Sequence, residues 1–433
     1  MKKLLAGICL LFSIQVVFAN DAYSGLSLEK AVLIATENDG WINSSKLIES
    51  AYRDEAISHS SLPDPTLSLG FANLPSDNFD FNQENMTQFK VGFTQHFPGG
   101  DSLEVKSRKS LLLADINPHM RANRTAHLSM IVSHLWFDSF LALKSISLIE
   151  SDRYLFEQLV EITTSRYQSA IGKARQQDVV RAQLELTKLE DRLTNLRMDY
   201  DINRQLLAEW LPLGNQLQPL FEELPHLVDM SKLSVLSIQH AIRKHPQLLI
   251  SDSNIGVKQA EIDLVKEEYT PDWALNVSYG YREDSPSGLA RDDFVSLGVS
   301  FDLPLFTSNR QDKSLSAAYA RKESISIEYE LLEKKMRSQA LKTLVEIQRL
   351  KQRTALYETR ILLQMHEQVE ASLSAYENDD GDFAEVMRAY IAELNSKIEV
   401  LEIKVRQQKV AATMTYLMTG SQQEYQASVE EKL

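Results

Sequence analysis

Four stretches of this chain contain neither glycine nor proline: residues 119–171, 173–211, 307–380 and 382–419. Glycine and proline are the residues that most readily break helices and make turns. A chain that omits them for so long is committed to long helices. If helical throughout, the run 307–380 would rise on the order of 110 Å at ~1.5 Å per residue. Mean globular helices have only about 11–12 residues. With 15 Gly and 12 Pro in 433 residues, a turn-rich sandwich or propeller is excluded. The apolar share of 43 % excludes a disordered chain. The formal charge of −14 lacks the basic stripe a nucleic-acid binder needs.

The first 19 residues read as a secretory signal peptide. Lys2 and Lys3 precede an apolar run, and Val17-Phe18-Ala19 supplies small residues before a cut at Asn20. The run is broken by Ser13 and Gln15, which makes it short for a bilayer span. Cys9 follows Ile8 and sits too early for a lipoprotein signal, so no lipid anchor is expected. Removing the leader takes away two lysines and no acids, which makes the charge −16. It also takes away the only cysteine, and with it any disulfide, thiolate ligand or catalytic thiol.

The rest of the chain repeats itself. Leu26-Ser27-Leu28 with Ala31 recurs as Leu236-Ser237-Ile238 with Ala241, and Pro63-Asp64 as Pro271-Asp272. Val91-Gly92-Phe93 through Phe97-Pro98 recurs as Leu297-Gly298-Val299 through Leu303-Pro304, and Tyr167 with Gly172 as Tyr376 with Gly381. The matches keep their order at a spacing of about 208 residues, the mark of a tandem duplication. The expected organisation is a leader (1–19), a first repeat (20–222) and a second repeat with a C-terminal tail (223–433). Each repeat would hold one helix (about 27–61 and 232–269), two strands and a long helical hairpin. Leu186, Leu189, Leu193, Leu196 and Tyr200 step by three and four, as do Ile391, Leu394, Ile398, Leu401 and Val405. That spacing predicts antiparallel coiled-coil packing. Pro118 is expected to kink its helix or to mark its start.

The strand pairs are predicted at Thr66–Phe71 and Phe89–Phe97, and at Trp273–Tyr281 and Phe294–Leu303. Leu275, Val277, Tyr279 and Tyr281 alternate with Asn276, Ser278 and Gly280, the period of a half-buried strand. No run of about 18 apolar residues follows the leader, so no transmembrane helix is expected. The strands themselves have the length of bilayer-crossing β-strands, and aromatics such as Phe89, Phe97, Trp273 and Phe301 favour a membrane interface. A small soluble sheet with an aromatic core reads equally well from the strands alone. Four strands cannot close a barrel, because the smallest bacterial barrels use about eight. An open sheet in lipid would leave both edges unpaired. A membrane reading therefore requires several copies of the chain, without fixing how many.

At these residues the chain resembles the outer-membrane efflux proteins related to TolC. The resemblance spans the whole mature chain. It is carried by the duplicated helix, strand pair and hairpin, by the strand ends at Pro98 and Pro304, and by the tips Tyr167–Gly172 and Tyr376–Gly381. Leu62-Pro63-Asp64-Pro65, Asn73-Leu74-Pro75 and Gln95-His96-Phe97-Pro98-Gly99-Gly100 are similar to the heavy-metal cation efflux branch. The resemblance implies a mainly α fold with a small transmembrane β part: a homotrimer closing a twelve-stranded barrel in outer-membrane lipid, continued by an α-helical tunnel through the periplasm. It implies a passive exit duct rather than an enzyme. The duct would dock on a periplasmic adaptor protein and an inner-membrane, proton-driven RND-type pump.

It also implies a gate at the hairpin tips. Asp178-Val179-Val180-Arg181-Ala182 and Glu385-Val386-Met387-Arg388-Ala389 match the acidic start of each returning helix. Asp178 resembles an acid that bonds across hairpins to a tip tyrosine, matched here by Tyr376. Glu385 resembles an acid of a pore-narrowing ring. Arg388 stands where some relatives carry a second acid, and Asp379, Asp380 and Asp382 are further acids of the mouth. The plain alternative is that Asp178 and Glu385 simply favour the positive end of a helix. No cofactor and no structural metal are expected: His127 and His134 share only a spacing of seven, and no His-x3-His pair stands out. No phosphate loop, nucleophile elbow or zinc-protease motif is present. The competing reading is a soluble periplasmic coiled-coil scaffold or adaptor.

Overall fold

The computed structural model describes residues 25–169, 175–216, 218–221, 223–225, 233–378 and 380–420. The leader, Gly172 and Asp379 lie outside the described residues. The elements are, in order, α1 (Leu28–Glu37), α2 (Gly40–Ser60), β1 (Thr66–Ala72), β2 (Gln88–Phe97), α3 (Ser102–Gln168), α4 (Gln176–Ala208) and the short α5 (Leu213–Gln216). Then follow α6 (Val235–Arg243), α7 (Pro246–Glu267), β3 (Trp273–Tyr281), β4 (Phe294–Phe301), α8 (Gln311–Leu356), α9 (Leu362–Glu377) and α10 (Phe383–Leu417). Long helices and a single four-stranded antiparallel sheet make up the fold, as the sequence predicts.

Three expectations change in detail. The helix expected over about 27–61 is two helices, because Asp39 turns its carboxylate back to accept the N–H of Trp41 at 3.1 Å and starts α2 afresh. The helix expected over 232–269 is also two. Pro246 has no N–H to continue α6 and occupies the first turn of α7, where none is needed. Pro118 does not begin its helix. α3 starts at Ser102 and runs on through Pro118. A five-residue π segment, Tyr357–Ile361, separates α8 from α9 and has no signature in the glycine and proline pattern.

The chain forms two compact units. The first takes the described residues within 1–38, 132–227 and 356–405. Its core joins Ile149, Phe156 and Leu159 of α3, Leu189 and Leu193 of α4, and Val386, Leu394 and Ile398 of α10. Both coiled-coil seams read from the sequence thus face inward. Trp136 is fully buried and donates its indole N–H to the carbonyl of Leu26 at 2.8 Å, so its polar atom is satisfied. By length and composition α3 could cross a membrane, but Trp136, Phe137 and Phe140 in it are buried in protein.

The second unit takes the described residues within 39–131, 228–355 and 406–433 and contains the sheet. One of its cores joins Ile238 and Ile242 of α6, Leu248 of α7, Met336 and Ile347 of α8, and Met414 and Leu417 of α10. His245, completely buried, caps α7: its Nδ1 accepts the N–H of Gln247 at 3.2 Å. Its Nε2 lies 3.1 Å from the carbonyl of Tyr416 and donates to it. Burial lowers its pKa to about 4, although the Tyr416 carbonyl opposes the shift.

Candidate functional site

The strand order is β1-β2-β3-β4, and every pair is antiparallel. β1 and β4 are edges, each with one side unpaired within the chain. The register sorts the side chains sharply. Leu67, Leu69 and Phe71 pair with Phe93, Val91 and Phe89, which pair in turn with Val277, Tyr279 and Tyr281. Leu297 and Val295 stand opposite Val277 and Tyr279. Side chains alternate between faces along a strand, so all of these share one face. The other carries Thr66, Ser68 and Gly70 of β1, Gly92 and Thr94 of β2, Asn276, Ser278 and Gly280 of β3, and Ser296, Gly298 and Ser300 of β4.

The apolar face is bare. Leu67 is 65 % exposed, Leu297 73 % and Val295 76 %. Aromatics close it at both ends. Phe71 and Phe89 lie at its loop end, with ring centroids 5.4 Å apart. Phe81 folds back from the β1–β2 loop to stack on Tyr281 at 6.3 Å. Phe97 and Trp273 stack at 4.0 Å at the other end, beside Phe301. Phe89 and Phe97 are separated by roughly 26 Å of strand at ~3.3 Å per residue. At the usual tilt of about 40° that is roughly 20 Å of depth, close to the ~25 Å apolar band of outer-membrane barrels.

Both ends of the sheet are tied. At the loop end Arg291 bridges the hairpins: its guanidinium donates to the carbonyls of Asn82 and Glu84 and, at 2.7 Å, to Asn85 Oδ1. Arg282 donates to the carbonyls of Asn85 and Asp292 and covers the ring of Phe294 at 3.9 Å. At the helix end Asp272 accepts the N–H of Gly99 at 2.6 Å, while its own carbonyl accepts the N–H of Asp302. Pro98 follows directly on β2 and lacks the N–H that would extend its ladder, whereas β4 ends at Phe301, three residues before Pro304. A Cβ on Gly99 would lie 2.6 Å from the carbonyl oxygen of Thr270, so only glycine fits this corner.

The described residues expected at the hairpin tips belong to the first unit. Asp178 is buried, and its Oδ2 accepts the backbone N–H of Arg175 at 2.9 Å, which satisfies the N-cap donor at the start of α4. The bond from Asp178 to Tyr376 implied by the resemblance is not made within the chain. Tyr376 is buried against Phe383, ring centroids 5.7 Å apart, and the Arg166 guanidinium sits 4.6 Å over its ring. Its hydroxyl has no hydrogen-bond partner among the described residues. Tyr167 is half-exposed.

Glu385 and Arg388, one turn apart on α10 and both exposed, form an ion pair. Asp382 accepts the N–H of Ala384 at 3.1 Å and begins α10, and Asp380 is exposed. At Gly381 a Cβ would lie 2.8 Å from the backbone nitrogen of Tyr376, so the α9–α10 turn requires glycine there. Among the described residues no group of three or more His, Cys, Asp or Glu is placed to hold a metal. Sequence reasoning missed the loop arginines, the capping role of His245 and the one charge within the strands, Lys90. Only the last had a visible signal, a lysine within the alternating pattern.

No protein-family model and no curated protein sequence matches the chain. Solved structures do. CusC, described in terms of transmembrane channel formation, aligns with a TM-score of 0.74 at 13 % identity over 90 % of this chain and 91 % of its own. The outer membrane protein VceC of Vibrio cholerae aligns with a TM-score of 0.75 at 12 % identity, covering 90 % and 96 %. The CmeC outer membrane channel of Campylobacter jejuni aligns with a TM-score of 0.75 at 12 % identity, covering 91 % and 85 %. The chain has the fold of these outer-membrane proteins along nearly its whole length.

Proposed function

We propose that this protein is the outer-membrane exit duct of a tripartite efflux system. Three copies close a twelve-stranded barrel, and their helices continue it as a periplasmic tunnel. The observation that carries this reading is the sheet: one face apolar, bare and bordered by aromatics at both ends, the other small and polar, with two unpaired edges. In water such a face would be an aggregation surface. In lipid it is the outer wall of a barrel, and further copies satisfy the edges. A soluble scaffold leaves the bare face unexplained. The number three comes from the resemblance to TolC-related proteins, as do the periplasmic adaptor and the inner-membrane RND-type pump. The duct conducts passively.

A heavy-metal cation as cargo is a second reading. It rests on the segments around Pro63, Pro75 and Pro98, not on the fold, since CusC, VceC and CmeC match almost equally well. The test of the duct is membrane fractionation, followed by SDS-PAGE with and without heating and by planar-bilayer recording. The expected result is a detergent-requiring oligomer that dissociates on heating and conducts ions. A soluble monomer overturns the proposal.

A further inference from the structure

The four strands together contain one charged side chain, Lys90, and no carboxylate. Lys90 lies on the polar face of β2, two positions in from its loop end, between the lipid-type residues Phe89 and Val91 of the opposite face. Its two cross-strand neighbours are both glycines, Gly70 on β1 and Gly280 on β3. Its next neighbours along the strand on that face are Gln88 and Gly92. The side chain is exposed, and among the described residues it has no ion-pair partner. The adjoining loops carry seven acids, Asp77, Asp80, Glu84, Glu283, Asp284, Asp292 and Asp293, and two arginines, Arg282 and Arg291. Asp293 accepts from Tyr279 and from the N–H of Arg282, Asp284 accepts from the N–H of Arg291, and none is ion-paired with Lys90.

We infer that Lys90 is the ion-selectivity residue of the barrel, placing a ring of positive charge in its lumen that favours anionic solutes over cations. The inference rests on the duct reading, which turns the polar face inward. Each copy then contributes one ammonium at the same depth, with no opposing charge on the strands. Glycines on either side leave the ammonium no cross-strand side chain to pack against, so it stays hydrated and directed at passing solute. Rings of Arg or Lys select anions in pores, as rings of Asp or Glu select cations. At the tips, where the resemblance implies an acidic ring, Arg388 offsets Glu385. The cargo class that fits this lumen is anionic or neutral organic solute, or a metal carried as an anionic complex, rather than a bare divalent cation.

The test is the reversal potential of the full-length oligomer in planar bilayers under a KCl gradient between about 10 and 100 mM, where screening is weak. Lys90→Gln is expected to shift the reversal potential toward cation selectivity, Lys90→Glu to shift it further, and Lys90→Arg to leave it unchanged. Should Lys90→Glu fail to assemble, Lys90→Cys provides the same comparison, because the mature chain is expected to contain no other cysteine. Labelling that thiol with an anionic or a cationic methanethiosulfonate should move the reversal potential in opposite directions. Channels that conduct normally with a reversal potential indifferent to the charge at position 90 overturn the inference and leave the duct standing. Wild-type protein that forms no channel overturns the duct itself.

Discussion

His245 is the residue at which protonation bears most directly on stability. Burial favours its neutral form and lowers its pKa to about 4, against an ordinary value of 6.5. The unfolded chain therefore binds a proton at a pH where the folded chain does not. Stability from this residue is fully present above about pH 6.5 and is lost as pH falls toward 4, about 3 kcal/mol in all. Protonation would also remove the Nδ1 lone pair that caps α7. Unfolding measured between pH 7 and 4 is expected to show this loss, and His245→Gln to flatten it. His127, whose pKa is also lowered by burial, adds in the same direction. At the tip, Asp178 is held by its own helix, so Asp178→Ala is expected to cost about 1 kcal/mol of local stability. Amide exchange across 176–182 reads that directly. Arg388→Gln would leave the Glu385 carboxylate unpaired and, on the duct reading, is expected to raise the preference of the tunnel mouth for cations, measured as a reversal-potential shift.

Among elements, the sheet depends most on its surroundings. Leu297 lies near the middle of β4 on the bare apolar face. A charge there faces hydrocarbon if the duct reading holds, at about 2–4 kcal/mol per copy for a lysine near the midplane. Leu297→Lys is expected to abolish assembly of the heat-dissociable oligomer, whereas Ser296→Lys, one residue away on the polar face, is expected to be tolerated. SDS-PAGE of the two variants separates a membrane sheet from a soluble one, in which both positions are simply exposed. The strands were readable to within a residue or two because alternation is a local property: Leu275, Val277 and Tyr279 announce their face without help from other strands. The breaks fall at Asp39 and Pro246, a capping aspartate and a first-turn proline, local chemistry that the expected single helices did not take into account. The π segment Tyr357–Ile361 was not legible, because it alters hydrogen-bond spacing without any change of residue class.

For the whole molecule, the hairpin tips were the least legible part. The resemblance pointed to Asp178, Tyr376 and Glu385, but it could not say what each side chain touches. Asp178 accepts from Arg175, Glu385 pairs with Arg388, and the Tyr376 hydroxyl is left without a partner among the described residues. Side-chain pairing depends on rotamers and on the approach of neighbouring helices, which no linear pattern encodes. By itself the sequence determined the long helices, through absent breakers, and the strands, through alternation. The tertiary structure alone decided that α10 lies in the cores of both units, that the strands run β1-β2-β3-β4 with two open edges, and that Lys90 stands between two glycines on the polar face. These are register and packing facts. They arise when residues about 200 positions apart come into contact, which local periodicity does not record.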